Sequence, residues 1–283
     1  VFNFFMLQAR NVKKLSLYDN QLNLLEDNLN FSVCSRLETL ILADNDFSLI
    51  KSSSFNSLIK YFATSNTLKK LELDNTNLQF LIDEDLNNLF DALIANSNLI
   101  NLNLAENKLG LTQSIFKLGN LLKQNKLSKI NLSENLLGIL TPENYEYFIN
   151  GIADSVNLKV LNISYNDLQK IHVDQLSKLA QALKNCCNLE KLTLGDEDVG
   201  NDLSLKLSPL FETLGELPNL TKLNLNYIWT DCLGSEENTV ILSRFIQTTT
   251  SLKVLELDYG LLKTEEKIKQ ILSTKPSIKL KLI

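Results

Sequence analysis

Apolar residues recur along this chain in a fixed phrase: a Leu, two residues, a Leu, one residue, a Leu, and in most copies an Asn three places later. Nine copies are legible. The first, Val12–Leu22, has Val in place of the opening Leu, and the others begin at Leu37, Leu68, Leu99, Leu127, Leu158, Leu189, Leu220 and Leu252. Successive copies stand 31 residues apart from Leu37 to Leu99 and again from Leu127 to Leu220, with one step of 28 and a last step of 32. Within a phrase the apolar positions alternate, as a strand requires. Leu102 and Leu104 are thus expected inside, and Asn101, Asn103 and Ala105 outside. Beyond the phrase the period becomes helical: Leu86, Leu89, Phe90, Leu93 and Ile94 share one face, as do Leu176, Leu179, Ala180 and Leu183. Thr141-Pro142-Glu143 carries the marks of a helix start, with an N-cap hydroxyl, a Pro that needs no N–H, and an acid in the first turn. Ser235-Glu236-Glu237 and Thr264-Glu265-Glu266 repeat the signal.

Each unit is therefore read as a short strand followed by a longer helix. Neither element buries its apolar face alone, so the units must stack. Strands are narrower than helices, so stacking bends the array into a horseshoe. The position three after the last strand Leu is Asn20, Asn45, Asn107, Asn135 and Asn166. An amide buried there both donates and accepts, and so ties neighbouring loops together. These residues and spacings resemble the leucine-rich repeat family, in particular its ribonuclease-inhibitor-like class, over nearly the whole chain. The resemblance implies an α/β solenoid with parallel strands on the concave face and helices on the convex face. It implies no activity, because that class holds inhibitors, GTPase regulators and innate-immune sensors. The domain reading is a cap or remnant of a preceding element at 1–11, nine repeats over 12–276 and a closing strand at 277–283. The absence of an initiator Met predicts a piece trimmed from a longer chain.

The formal charge of −5 weighs against nucleic acid as the main partner. So does the scarcity of arginine: Arg10, Arg36 and Arg244 are the whole complement. Roughly one residue in eight is Asn and Lys far outnumbers Arg, a bias that an AT-rich genome explains. Cys34, Cys186, Cys187 and Cys232 show no framework spacing, which predicts a reduced, cytoplasmic setting. With His172 as the single histidine, no metal site is expected. The apolar start VFNFFML is too short to span a bilayer and lacks a basic n-region, so no membrane segment is expected. The stretch from Asp196 to Asp202 is superficially similar to a calcium loop but lacks the oxygen ligand before its Gly. No phosphate loop, nucleophile elbow or paired His is present, so neither enzyme action nor a cofactor is expected.

The outward strand positions carry the remaining signal. The residue before the second Leu is Lys in five of the nine copies, including Lys129, Lys191 and Lys222. Two places after the third Leu, an acidic row from Asp19 to Glu134 gives way to Tyr165, Asp196, Tyr227 and Tyr259. Trp229, the only Trp, lies two beyond Tyr227, and Asp258 precedes Tyr259. In this same stretch the Asn ladder lapses. The rows read as a two-toned surface ending in an aromatic patch, with the partner-binding residues Tyr165, Lys191, Asp196, Lys222, Tyr227, Trp229, Asp258 and Tyr259. Two plainer readings stay open, charge kept for solubility and drift in the last repeats. The function this predicts is a monomeric protein-binding module engaging an unidentified protein. The Asn/Lys bias resembles effectors that intracellular bacteria place in the host cytosol. The rivals are the recognition arm of a ubiquitin ligase or GTPase regulator, and a self-associating structural protein.

Overall fold

In a computed structural model, residues 10–25, 29–195, 208–226, 236–257 and 265–282 are described. Nine short strands follow the nine phrases: β1 (Lys14–Ser16), β2 (Thr39–Ile41), β3 (Lys70–Glu72), β4 (Asn101–Asn103), β5 (Lys129–Asn131), β6 (Val160–Asn162), β7 (Lys191–Thr193), β8 (Lys222–Asn224) and β9 (Val254–Leu257). β10 (Lys279–Leu282) follows them, and all ten pair in parallel in chain order. The register puts the middle apolar residue of each strand against its counterpart, Leu71 on Leu102 and Ile130 on Leu161. Leu102, Leu104, Leu132, Leu161, Ile163, Leu192 and Leu194 are all buried.

The outer layer consists of helices α1 (Ser52–Thr64), α2 (Asp83–Ala95), α3 (Ile115–Lys123), α4 (Pro142–Ala153), α5 (Val173–Asn185), α6 (Ser208–Glu216), α7 (Glu236–Thr248) and α8 (Glu265–Ser273). They are longer than the strands, and each packs on its neighbour in sequence. Leu86, Leu89, Phe90 and Leu93 of α2 point into the core, as do Leu176, Leu179, Ala180 and Leu183 of α5. Thr141 caps α4 by accepting from the Asn144 N–H, with Pro142 at the first helical position. The short repeat from Leu99 to Leu127 holds the nine-residue α3. There Gly119 and Gly151 let α3 and α4 meet backbone to backbone; a Cβ on Gly151 would sit 2.6 Å from the Gly119 carbonyl oxygen.

The strand-plus-helix reading needs three corrections. First, a 3-10 turn stands between strand and helix, at Leu22–Leu24, Phe47–Leu49, Leu78–Phe80, Leu109–Leu111, Leu137–Ile139 and Leu168–Lys170. Second, the return limb of the first repeat, 29–38, is a pair of turns without a helix. Asn30 accepts there from the Ser32 N–H, and buried Leu29, Phe31 and Cys34 fill the space a helix would occupy. Third, Ala105 is buried, because the chain has left the strand plane one residue earlier.

The Asn ladder is intact at four positions. Asn45, Asn107, Asn135 and Asn166 are buried, and each bonds backbone groups of its own and the preceding repeat. In the third repeat Thr76 stands in for Asn, its hydroxyl donating to the Leu73 carbonyl. Asn20 departs from the expectation. Among the described residues no strand precedes β1, and Asn20 is exposed and donates to the carbonyl of Tyr18.

Candidate protein-binding surface

A three-residue strand offers two outward positions, and the register turns each into a column across the sheet. One contains Lys70, Asn101, Lys129, Val160, Lys191 and Lys222; the other contains Glu72, Asn103, Asn131, Asn162, Thr193 and Asn224. Toward both ends of the sheet several charges are paired, although Lys14 on β1 and Lys279 on β10 are not among the described residues. Glu38 bridges Lys13 at 3.3 Å and Lys69 at 2.8 Å, and Lys70 pairs with Glu72 at 2.6 Å. At the other end Glu256, only 2 % exposed, lies between Lys222 at 2.8 Å and Lys281 at 2.9 Å and accepts from the Asn224 amide at 3.0 Å. Burial pushes the Glu256 carboxyl up, but the two lysines outweigh it and hold it below the usual glutamate range.

At the centre Glu190 pairs with Lys159 at 2.9 Å, and its carboxyl is held below the usual glutamate range first by that lysine and, from further off, by Lys191 and Lys129. No carboxylate among the described residues lies within ion-pair distance of Lys129 or Lys191, which flank Val160 on adjacent strands. Beside them, the Asn131 side-chain oxygen accepts from the Ser133 N–H at 3.1 Å. That of Asn162 accepts from the Ser164 N–H at 3.0 Å and its hydroxyl at 2.8 Å. Each local bond fixes the amide with its NH₂ turned away from its own chain. The middle of the concave face is therefore a cluster of hydrogen-bond donors on Lys129, Asn131, Asn162 and Lys191.

The acidic row is not on the strands. It occupies the turn that follows them, where Asp19, Asp44, Asn75, Glu106, Glu134 and Tyr165 all have φ between 51 and 58°. That region suits Asn and Asp and is strained for Glu and Tyr, by about 1–3 kcal/mol per residue. The neighbouring repeat holds them there: the N–H of Glu106 donates to Ser133, of Glu134 to Ser164 and of Tyr165 to Gly195. Lys108, Leu136 and Asp167 form a second left-handed column, and a groove of about 650 Å³ runs between the two. Partial burial, then repulsion from Glu134 and Asp44, raises the Glu106 carboxyl. Burial, with repulsion from Glu72, Asp44 and Glu106, does the same to Asp74.

Tyr165 closes this groove toward the C-terminal repeats and is half-buried, rather than free in an exposed register. Lys191 and Lys222 stand in register on β7 and β8, but Lys222 is committed to Glu256. Asp196, Tyr227, Trp229, Asp258 and Tyr259 lie outside the described residues, as does the calcium-like stretch. Sequence reasoning missed Glu256, whose burial depends on the strands either side. It also placed the acidic row on the sheet. Asp19, Asp44 and Asn75 carried a left-handed signal, whereas Glu106, Glu134 and Tyr165 carried none. His172 caps α5, its ring accepting from the Asp174 N–H at 3.4 Å, and among the described residues no group of three His, Cys, Asp or Glu side chains could hold a metal.

Ten parallel strands in chain order, a helix layer and a ladder of buried asparagines define the architecture. This is the leucine-rich repeat fold. The leucine-rich repeat-containing protein LegL7 from Legionella pneumophila superposes with a TM-score of 0.56, covering 95% of this chain and 90% of that one at 22% identity. The tropomodulin C-terminal domain from Caenorhabditis elegans is more distant: a TM-score of 0.37 and 14% identity, over 78% of this chain and 99% of that one. No family model matches the chain, and no curated protein matches it.

Proposed function

We propose that this leucine-rich repeat chain is a non-enzymatic protein-binding module that grips its partner with the concave face, from the donor cluster to the aromatic row. The observation that supports this is the pairing pattern. Among the described residues Lys129 and Lys191 have no ion-pair partner, Glu190 beside them being taken by Lys159, whereas Lys69, Lys70, Lys222 and Lys281 nearer the ends of the sheet are paired. Next to the two free lysines stand two amides locked NH₂-outward. A partner surface rich in carboxylates and carbonyls supplies the acceptors. In this reading the lysines steer the encounter, while Tyr165, Tyr227, Tyr259 and Trp229 supply anchoring area, with Asp196 and Asp258 orienting the partner.

The same reading takes the chain as a monomer acting in the host cytosol as a bacterial effector. The asparagine and lysine bias supports it, and so do the free thiols of Cys34, Cys186 and Cys187. The test is affinity capture from host-type cytosol. The Tyr165/Tyr227/Tyr259→Ala triple variant is expected to lose the partner. Lys129→Ala is expected to retain it with a shallower salt dependence. A triple variant that stays folded and captures normally overturns the proposal.

A further inference from the structure

The 3-10 turns carry a feature that the concave face does not use. In each of the first five, the first residue is buried (Leu22, Phe47, Leu78, Leu109 and Leu137) and seats the turn in the core. The third residue is large, apolar and exposed: Leu24 at 68 %, Leu49 at 62 %, Phe80 at 68 %, Leu111 at 58 % and Ile139 at 40 %. Successive turns pack on one another, so these five side chains form one ridge along the loop edge of the solenoid. Ile82, 65 % exposed, widens it beside Phe80. The ridge ends at the sixth turn, where Lys170 takes the position and pairs with Asp167 at 2.9 Å. Folding does not call for it, because each turn is already held by its buried first residue. It exposes roughly 500 Å² of apolar side chain, the scale at which a patch on a monomer marks an interaction site.

The surroundings indicate what covers it. Between the strand ends and the first helical turns, residues 18–25, 43–53, 74–85, 105–115 and 133–143 hold ten carboxylates against two basic side chains, Lys51 and Lys108. Asp44 and Glu106 lie on the rim side, and Asp83, Glu84 and Asp85 in the first turn of α2 lie on the other. An apolar ridge within a negative surround complements an apolar stripe flanked by cations.

The backbone narrows the choice further. The N–H groups of Leu24, Phe80 and Leu111 already donate to Gln21, Asn77 and Lys108, so the ridge has no free donors for an added strand. Recognition through side chains alone suits a helix, whose own backbone is satisfied. The repeat spacing at the turns lies between the ~4.8 Å of the strands and the ~10 Å of the helix layer, a range that includes the ~5.4 Å pitch of an α-helix. We propose that the ridge Leu24–Leu49–Phe80–Leu111–Ile139 is a second docking surface, which takes a cationic amphipathic α-helix of a partner protein.

The probes are two 18-residue model helices, one of Leu and Lys and one with Glu in place of each Lys, with binding read by fluorescence anisotropy. The Leu/Lys helix is expected to bind the full chain. The Leu49→Ser/Phe80→Ser/Leu111→Ser variant is expected to weaken that binding about tenfold or more. The Glu helix should not bind, and Tyr165→Ala should leave the Leu/Lys helix unaffected, which separates this surface from the concave one. Circular dichroism and Tm confirm the triple variant's fold, with Phe80→Ser alone as the milder substitute. Equal binding by the ridge variant, or equal binding of the Glu helix, overturns the proposal. So does ridge-dependent flotation on phosphatidylcholine/phosphatidylserine vesicles, or a dimer that the ridge variant returns to monomer; either result would assign the ridge to a lipid surface or to a second copy of the chain.

Discussion

Asn107→Ala is the sharpest test of what holds successive repeats together. The side chain is fully buried. Its oxygen accepts from the N–H groups of Thr76 and Leu78, each at 3.1 Å, and its NH₂ donates to the carbonyls of Leu73, Leu104 and Ala105. Those three carbonyls keep other donors after truncation: the Thr76 hydroxyl, the Asn135 amide and the Asn75 N–H respectively. The Thr76 and Leu78 N–H groups have no other partner among the described residues and are orphaned in the interior. At about 1–3 kcal/mol for each buried donor left unmade, the substitution should cost about 2–6 kcal/mol. Asn20→Ala is the internal control, because Asn20 occupies the same repeat position in the open and is expected to cost under about 0.5 kcal/mol. Urea unfolding measures both, and native-state hydrogen exchange should show faster exchange at Thr76 and Leu78 before other amides respond. A loss at Asn107 no larger than that at Asn20 would refute the ladder as a source of stability.

Leu161→Ala, at a fully buried strand position, should destabilise by about 2–5 kcal/mol through the cavity it leaves, and a loss under about 1 kcal/mol would mean the strand register is wrong. Glu256 has a folded pKa below its ordinary value, so its contribution should be complete above the usual glutamate range and vanish as pH falls through the depressed value. The stability gap between wild type and Glu256→Gln, followed from neutral pH into acid, should therefore close, and a gap independent of pH contradicts the pairing with Lys222 and Lys281. In the native state a thiol reagent should label exposed Cys187 and spare Cys34 and Cys186, because burial pushes the Cys186 thiol up to about 12. Peptide mapping reads the result, and rapid labelling of Cys186 would show that the α5 end opens.

Periodicity alone determined where the strands fall, the strand cores and the buried helix faces. A 31-residue recurrence of Leu at strand spacing has one way to bury its apolar positions, which is to stack. The strand leucines from β2 to β9 fall inside, while Leu17 at one end and Leu280 and Leu282 at the other are partly buried. The asparagine ladder was legible for the same reason, since an amide at a fixed place in every unit implies a fixed pair of neighbours. Packing between repeats decided the rest. Glu106, Glu134 and Tyr165 adopt left-handed turns that their own side chains do not favour, because the next repeat's carbonyls accept their N–H groups. Glu256 is buried only because β8 and β10 bring a lysine to each side of it. Asn20 shares its residue type and phase with Asn107 yet stands in solvent, because among the described residues no strand precedes β1 to cover it. The donor cluster at Lys129 and Lys191 and the ridge from Leu24 to Ile139 are likewise properties of neighbouring repeats, since a single repeat carries only one residue of each column.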